Sequence, residues 1–108
     1  MDLFQLGWTG DNGDPDNFLA VLFDGLASPA IRTQWKNEEY HQLMQAGKQT
    51  IDQAKRAEIY QKALQLIHDE VSVISVAHST AIWPTRNNVM NFKLHPTASV
   101  RMKNVRLE

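Results

Sequence analysis

The sequence predicts an α/β fold with about three helices and several short strands, and three patterns in it carry that expectation. Between Asp52 and about Glu70, Ala57, Tyr60, Ala63, Leu64 and Ile67 recur at the i, i+3, i+4, i+7 spacing of an inner helix face. Lys55, Glu58, Gln61, Lys62 and Gln65 take the other side. Val71 to His78 then alternates at period two and is rich in β-branched residues, as a strand should be. Helix-start signals stand upstream at Asp14-Pro15 and at Asn37-Glu38-Glu39.

In chain order, Leu3 to Trp8 is a short apolar run expected to enter a glycine-rich loop as a strand. Asp14 offers an N-cap oxygen, Pro15 suits the first helical position, and Phe18, Leu19, Leu22 and Phe23 recur at helical spacing. Gly25 or the Ser28-Pro29 pair should end this helix. Asn37 caps the second, with two carboxylates in its first turn to favour the positive end of the dipole and an inner face of Tyr40, Leu43, Met44 and Gly47. After the third helix and the Val71 strand, Thr80 to Trp83 reads as another strand ended by Pro84, Asn87-Asn88 as a turn and Phe92 to Leu94 as a short strand. Residues 97 to 108 read as an extended tail with Val100, Met102, Val105 and Leu107 turned inward.

At 108 residues and 43% hydrophobic, the chain suffices for one modest domain and not for two. A formal net charge of -1 gives no electrostatic case for nucleic acid or an anionic membrane. Charge is uneven nonetheless. Residues 1 to 31 hold Asp2, Asp11, Asp14, Asp16 and Asp24 with no Lys or Arg, while Arg86, Lys93, Arg101, Lys103 and Arg106 make the end of the chain basic. Solvated surface charge explains this as readily as attraction between the ends. The absence of cysteine removes disulfides and thiolate metal sites and leaves the redox compartment open. Met1 to Phe4 lacks the basic and long apolar regions of a secretory leader, and no stretch reaches the roughly 18 apolar residues of a membrane span.

The run from Gly7 to Phe18 packs an indole, three carboxylates and three glycines into one stretch. Carboxylates this close repel one another, and glycines raise the entropy lost on ordering, so such a loop suits a cationic cargo: a free α-ammonium or a metal ion. A calcium EF-hand is excluded, because Gly13 falls at loop position 3, Pro15 at 5 and Asp16 at 6. His41, His68, His78 and His95 show no zinc-ligand spacing. Ser79 beside His78 lacks a nucleophile elbow, and neighbouring strand residues point to opposite faces, so no catalytic pair is expected. Taken singly, Asp11 reads first as an Asx-turn former and Trp8 as an apolar anchor at a strand end. Asp14 and Asp16 read as structural, at the cap and in the first turn of the helix, and Trp35 and Trp83 as core or interface anchors.

Taken together, Gly7-Trp8-Thr9-Gly10-Asp11-Asn12-Gly13-Asp14-Pro15-Asp16-Asn17-Phe18 resembles the signature of the dipeptide-binding branch of solute-binding protein family 5, periplasmic receptors that feed ATP-driven peptide importers. The likeness continues through Phe18-Leu19-Ala20-Val21-Leu22-Phe23, Arg56 and Tyr60, Ala77-His78-Ser79-Thr80 and Lys103-Asn104-Val105-Arg106-Leu107-Glu108, essentially the whole chain. The chain departs from many family members in lacking both cysteines of a pair that flanks the Asp24 to Trp35 segment.

The resemblance implies that residues 1–108 are the C-terminal segment of a two-lobed, type II-like periplasmic-binding fold. It implies that Asp11 grips the α-ammonium of a bound di- or oligopeptide, Trp8 walls a side-chain pocket, and the backbone of Gly7, Trp8, Thr9 and Gly10 meets the ligand's first residues. A Cβ at Gly7 or Gly10 should then be poorly tolerated. The partner of the ligand's carboxylate would lie upstream, outside the chain. Arg56 and Tyr60 would serve helix packing or permease docking, with packing the simpler reading. The implied protein is not an enzyme, sits in the periplasm and delivers its ligand to an inner-membrane permease. Sister receptors for haem, nickel, glutathione or antimicrobial peptides share these motifs, and haem is a possible transported ligand. A stand-alone interaction module, using the acidic loop against a basic partner, is the rival from another class. A fragment leaving Trp8, Phe18 and Trp35 uncovered is expected to self-associate and to bind dipeptide weakly or not at all by itself.

Overall fold

Local cap chemistry decides where the three helices begin. In the computed structural model, which describes residues 5–27 and 34–108, α1 spans Asp16–Phe23, α2 Glu38–Gln49 and α3 Gln53–Asp69. Asp14 Oδ1 accepts from the Asp16 amide at 2.9 Å, and Pro15 already has helical angles (φ -55, ψ -31), so the expected Asp14-Pro15 start is realised. Asn37 accepts from Tyr40 N at 2.9 Å and Asp52 from Lys55 N at 2.8 Å, capping α2 and α3 in the same way. At its other end α1 closes with the Asp24 amide donating to Ala20 O at 3.3 Å.

Two units emerge, and residues 14–75 make up the helical one. Its core is Leu19 and Ala20 from α1, Tyr40 and Met44 from α2, and Tyr60, Ala63 and Ile67 from α3. The buried Tyr40 hydroxyl donates to Leu19 O at 2.9 Å, joining α2 to α1 without leaving a polar atom unsatisfied. Trp35 meets Tyr40 edge-on at 4.9 Å and donates from Nε1 to Glu70 Oε2 at 2.6 Å, anchoring the approach to α2 as its size suggests. Gly47 is required for packing. A Cβ there would stand 2.7 Å from Tyr60 Cε1, so only glycine lets α2 lie this close to the α3 tyrosine.

The inner face of α3 is narrower than its apolar spacing suggests. Tyr60, Ala63 and Ile67 are buried, whereas Ala57 and Leu64, expected beside them, are exposed. With α2 as its main packing partner, the helix covers a single stripe and its flanking apolar positions face outward.

The strand expected from Val71 is replaced by a helix ending. Val71 N donates to His68 O at 3.3 Å and Ser72 N to Ile67 O at 3.4 Å, the paired closure of a Schellman motif, with Val71 in the left-handed position at φ 48. That position favours glycine, and a β-branched residue there is strained by about 1–2 kcal/mol. Val71→Gly should therefore raise the urea midpoint of unfolding even though it removes an apolar side chain, because Val71 is 69% exposed. A lowered midpoint would contradict the left-handed cap.

In the second unit, residues 5–13 with 76–108, β1 (Val89–Met90) pairs antiparallel with β2 (Arg106–Leu107), placing Val89 opposite Leu107 and Met90 opposite Arg106. The Asn87-Asn88 turn forms as expected, and Glu108 N donates to Asn88 O at 3.0 Å beyond the ladder. The strands expected at 71–78, 80–83 and 92–94 do not form, nor does the described part of the one ending at Trp8. Leu3, Phe4 and the Ser28-Pro29 helix stop lie outside the described residues. Ile74, Val76 and Ile82 are between 77% and 83% exposed, and in the tail Val100, Met102 and Leu107 are exposed while only Val105 is half-buried. Alternation marks which residues would share a sheet face, but a strand exists only where another backbone completes its ladder.

Candidate functional site

Every residue expected to touch ligand lies on one continuous stretch without regular structure, ahead of α1. Gly7, Trp8, Thr9 and Asp11 are exposed and Gly10 is half-buried. Trp8 shows 42% of its surface, large for an indole that served only as a core anchor. Residues 11–13 bend, and Gly13 at φ +76 turns the chain into Asp14, a conformation that L side chains rarely adopt. An added Cβ at Gly7 would meet none of the described residues within 4 Å, so their packing does not itself call for glycine there.

The neighbouring carboxylates have structural partners, as their cap positions suggest. Asp14 Oδ1 pairs with Arg56 Nη2 at 2.7 Å, a contact bridging 42 residues, and Asp16 Oδ1 lies 3.7 Å from Lys48 Nζ. Arg56 also donates from Nε to Gly47 O at 3.0 Å and from Nη2 to Tyr60 Oη at 2.9 Å, with its guanidinium 5.1 Å from the Tyr60 ring centroid. Arg56 and Tyr60 thus pack one helix turn against the starts and ends of its neighbours.

The hydrogen bond from Arg56, then the Asp16 amide, hold the Asp14 carboxyl below its usual 3.8. A carboxyl whose folded value lies below its unfolded one adds stability above the unfolded value, and loses it as pH falls through the folded value. Unfolding midpoints should therefore drop on going from pH 6 to pH 3, and drop less in Asp14→Asn. An equal drop in both proteins would remove this pair from the acid response.

A second polar cluster has no counterpart in the sequence reading. Asp24 is buried, accepts from Leu26 N at 3.2 Å and Ala27 N at 3.0 Å, and sets its two oxygens 3.0 and 2.9 Å from His41 Nδ1. It fixes the exit from α1 against α2. The adjacent Gly25 is obligatory, since a Cβ would run into the Trp35 carbonyl oxygen. The one available signal was local: an aspartate directly after an apolar helical run and directly before glycine. Among the described residues no group of three or more His, Cys, Asp or Glu side chains could hold a metal ion, and no helix is long and apolar enough to cross a membrane.

No family model matches the chain. Individual proteins do. The chain is 38% identical over 106 residues to the dipeptide-binding protein of Escherichia coli (strain K12), covering 96% of this chain and 20% of that protein. Over this span its homologues are dipeptide-binding proteins. A dipeptide-binding protein of Pseudomonas aeruginosa is 39% identical over 97 residues, covering 88% of this chain and 18% of its own length. The heme-binding protein A of Haemophilus influenzae is 34% identical over 94 residues, covering 83% of this chain and 17% of that protein. In structure, HbpA2 from Haemophilus parasuis superposes with a TM-score of 0.74 at 32% identity, over 94% of this chain and 20% of that one. Three helices with a few short strands are thus the fold of one segment of such a protein. The chain spans 20% or less of the length of these relatives.

Proposed function

We propose that residues 1–108 form the C-terminal segment of a periplasmic receptor that binds di- or oligopeptides by their free α-amino group and passes them to an inner-membrane ABC permease. The observation that carries this reading is the exposed Gly7 to Asp11 stretch, which sets an indole and a carboxylate on either side of backbone that an incoming peptide can reach. Asp11 supplies a charge-assisted hydrogen bond to the ammonium, and Trp8 lines the first side-chain pocket. Backbone groups of Gly7, Thr9 and Gly10 pair with the extended ligand, giving affinity without side-chain selectivity. The protein binds and releases its ligand unchanged and is not an enzyme.

Calorimetric titration of the full-length receptor with a free dipeptide and with its N-acetylated form tests this. Micromolar binding that needs the free amine is the expected result; equal binding of both forms would overturn the ammonium assignment. The relative named for heme binding supports a second reading, in which haem is the transported solute. Haem that displaced dipeptide, or bound where dipeptide did not, would establish it.

For the isolated segment we further infer self-association. Trp8 and Phe18 are 42% and 39% exposed, and the uncharged stretch from Val71 to Trp83 exposes Val71, Ile74, Val76, Ile82 and Trp83. Light scattering should find dimers or larger species. A monodisperse monomer at high concentration would contradict this.

A further inference from the structure

Arg56 has a position that the ligand reading leaves unused. It sits on the first turns of α3, whose own place is set by burial of Tyr60, Ala63 and Ile67. From there its guanidinium reaches all three helices: Asp14 Oδ1 at the entry to α1, Gly47 O in the last turn of α2, and Tyr60 Oη on α3 itself. Exposed ion pairs usually contribute little, because two long side chains must be ordered to make them. Here the ordering is already provided. The Tyr60 ring 5.1 Å away and the Gly47 carbonyl hold the guanidinium plane, leaving Nη2 aimed at Asp14. The same Asp14 oxygen also caps Asp16 N, so one atom ties both the first turn of α1 and the residue that closes the loop to α3.

Only Asn12 and Gly13 separate Asp11 from that tether. We infer that Arg56 is a positioning residue for ligand binding: by holding Asp14, it fixes the C-terminal stem of the Gly7–Gly13 loop, so that Asp11 and Trp8 are presented to the ligand with less freedom left to lose. This rests on the reading of Gly7 to Asp11 as the ligand-binding stretch. A loop with a fixed stem loses less conformational entropy on closing over a ligand, and the benefit falls mainly on the dissociation rate. Lysine replaces the charge but not the fork. A single ammonium cannot keep the Asp14, Gly47 and Tyr60 contacts together.

The test compares wild type, Arg56→Met, Arg56→Lys and Tyr40→Phe in the full-length protein, measuring amide hydrogen exchange over residues 7–17 and dipeptide dissociation by stopped flow. Tyr40→Phe deletes the hydroxyl bond to Leu19 O and so perturbs the same helices without touching Asp14. Arg56→Met should speed exchange around residues 11–14 and raise the dissociation rate roughly tenfold with association little changed. Arg56→Lys should fall between, and Tyr40→Phe should lower stability while leaving both readouts as in wild type. Exchange and dissociation unchanged in Arg56→Met would overturn the proposal, as would Tyr40→Phe moving them equally. If wild type binds no dipeptide, the peptide-receptor reading fails on that result, and exchange over residues 11–14 alone decides whether Arg56 holds the stem.

Discussion

Asp11→Asn should weaken dipeptide binding by roughly 30-fold to several-thousand-fold, because removing one partner of a desolvated charge pair costs about 2–5 kcal/mol. For a ligand bound in the micromolar range, at about 8 kcal/mol, a loss in the upper part of that range leaves nothing a calorimeter detects. Asparagine is the informative replacement. It forms the same Asx-turn as aspartate and has the same shape, so a residue serving only the loop's own geometry would tolerate the change. A residue holding an ammonium would not, since the amide oxygen carries no net charge. A thermal melt of the variant beside wild type separates lost binding from lost folding. An N-acetylated dipeptide, with no ammonium to lose, should bind wild type and variant alike. Undiminished binding of the free dipeptide by Asp11→Asn would remove Asp11 from the site.

The helices were legible because their determinants are local. Asp14-Pro15, Asn37 and Asp52 each satisfy amides two or three residues ahead, so the chain carries the full instruction within one turn. The strands were not, because an alternating run such as Val71 to His78 states a face and leaves its partner unnamed. Val71 shows the consequence: the first residue of the expected strand is spent closing α3 with left-handed backbone. The same division holds at the candidate site. The loop was visible as a contiguous cluster of glycine, tryptophan and aspartate. Arg56 and Tyr60 were visible as a one-turn pair, but the Asp14 partner stands 42 residues away, and the Asp24–His41 contact spans 17. Pairings of that range are set by how α1, α2 and α3 pack, and no spacing rule reaches them.

Met44→Ala carries the largest expected effect on stability. Met44 is fully enclosed, at 0% exposure, in the core cluster to which α1, α2 and α3 all contribute. Truncating a buried methionine costs about 2–5 kcal/mol, as lost transfer energy plus the cavity left behind. A helical unit running from residue 14 to 75 commands only about 3–9 kcal/mol in total, so this one change should consume a large share of it, from about a quarter upward. Met44→Leu preserves the volume and should cost less than about 1.5 kcal/mol. Urea titrations followed by far-UV circular dichroism would rank the three proteins, and a Met44→Ala midpoint equal to wild type would mean that the α1–α2–α3 core is not closed in solution. The variant also sharpens the meaning of the Arg56 experiment. Where only the folded fraction of a protein binds, the apparent dissociation constant rises as the inverse of that fraction, while each bound complex still dissociates at the native rate. Met44→Ala should thus weaken apparent affinity by the inverse of its folded fraction and recover fully when an osmolyte restores folding. Arg56→Met, acting on the loop within the folded state, should not.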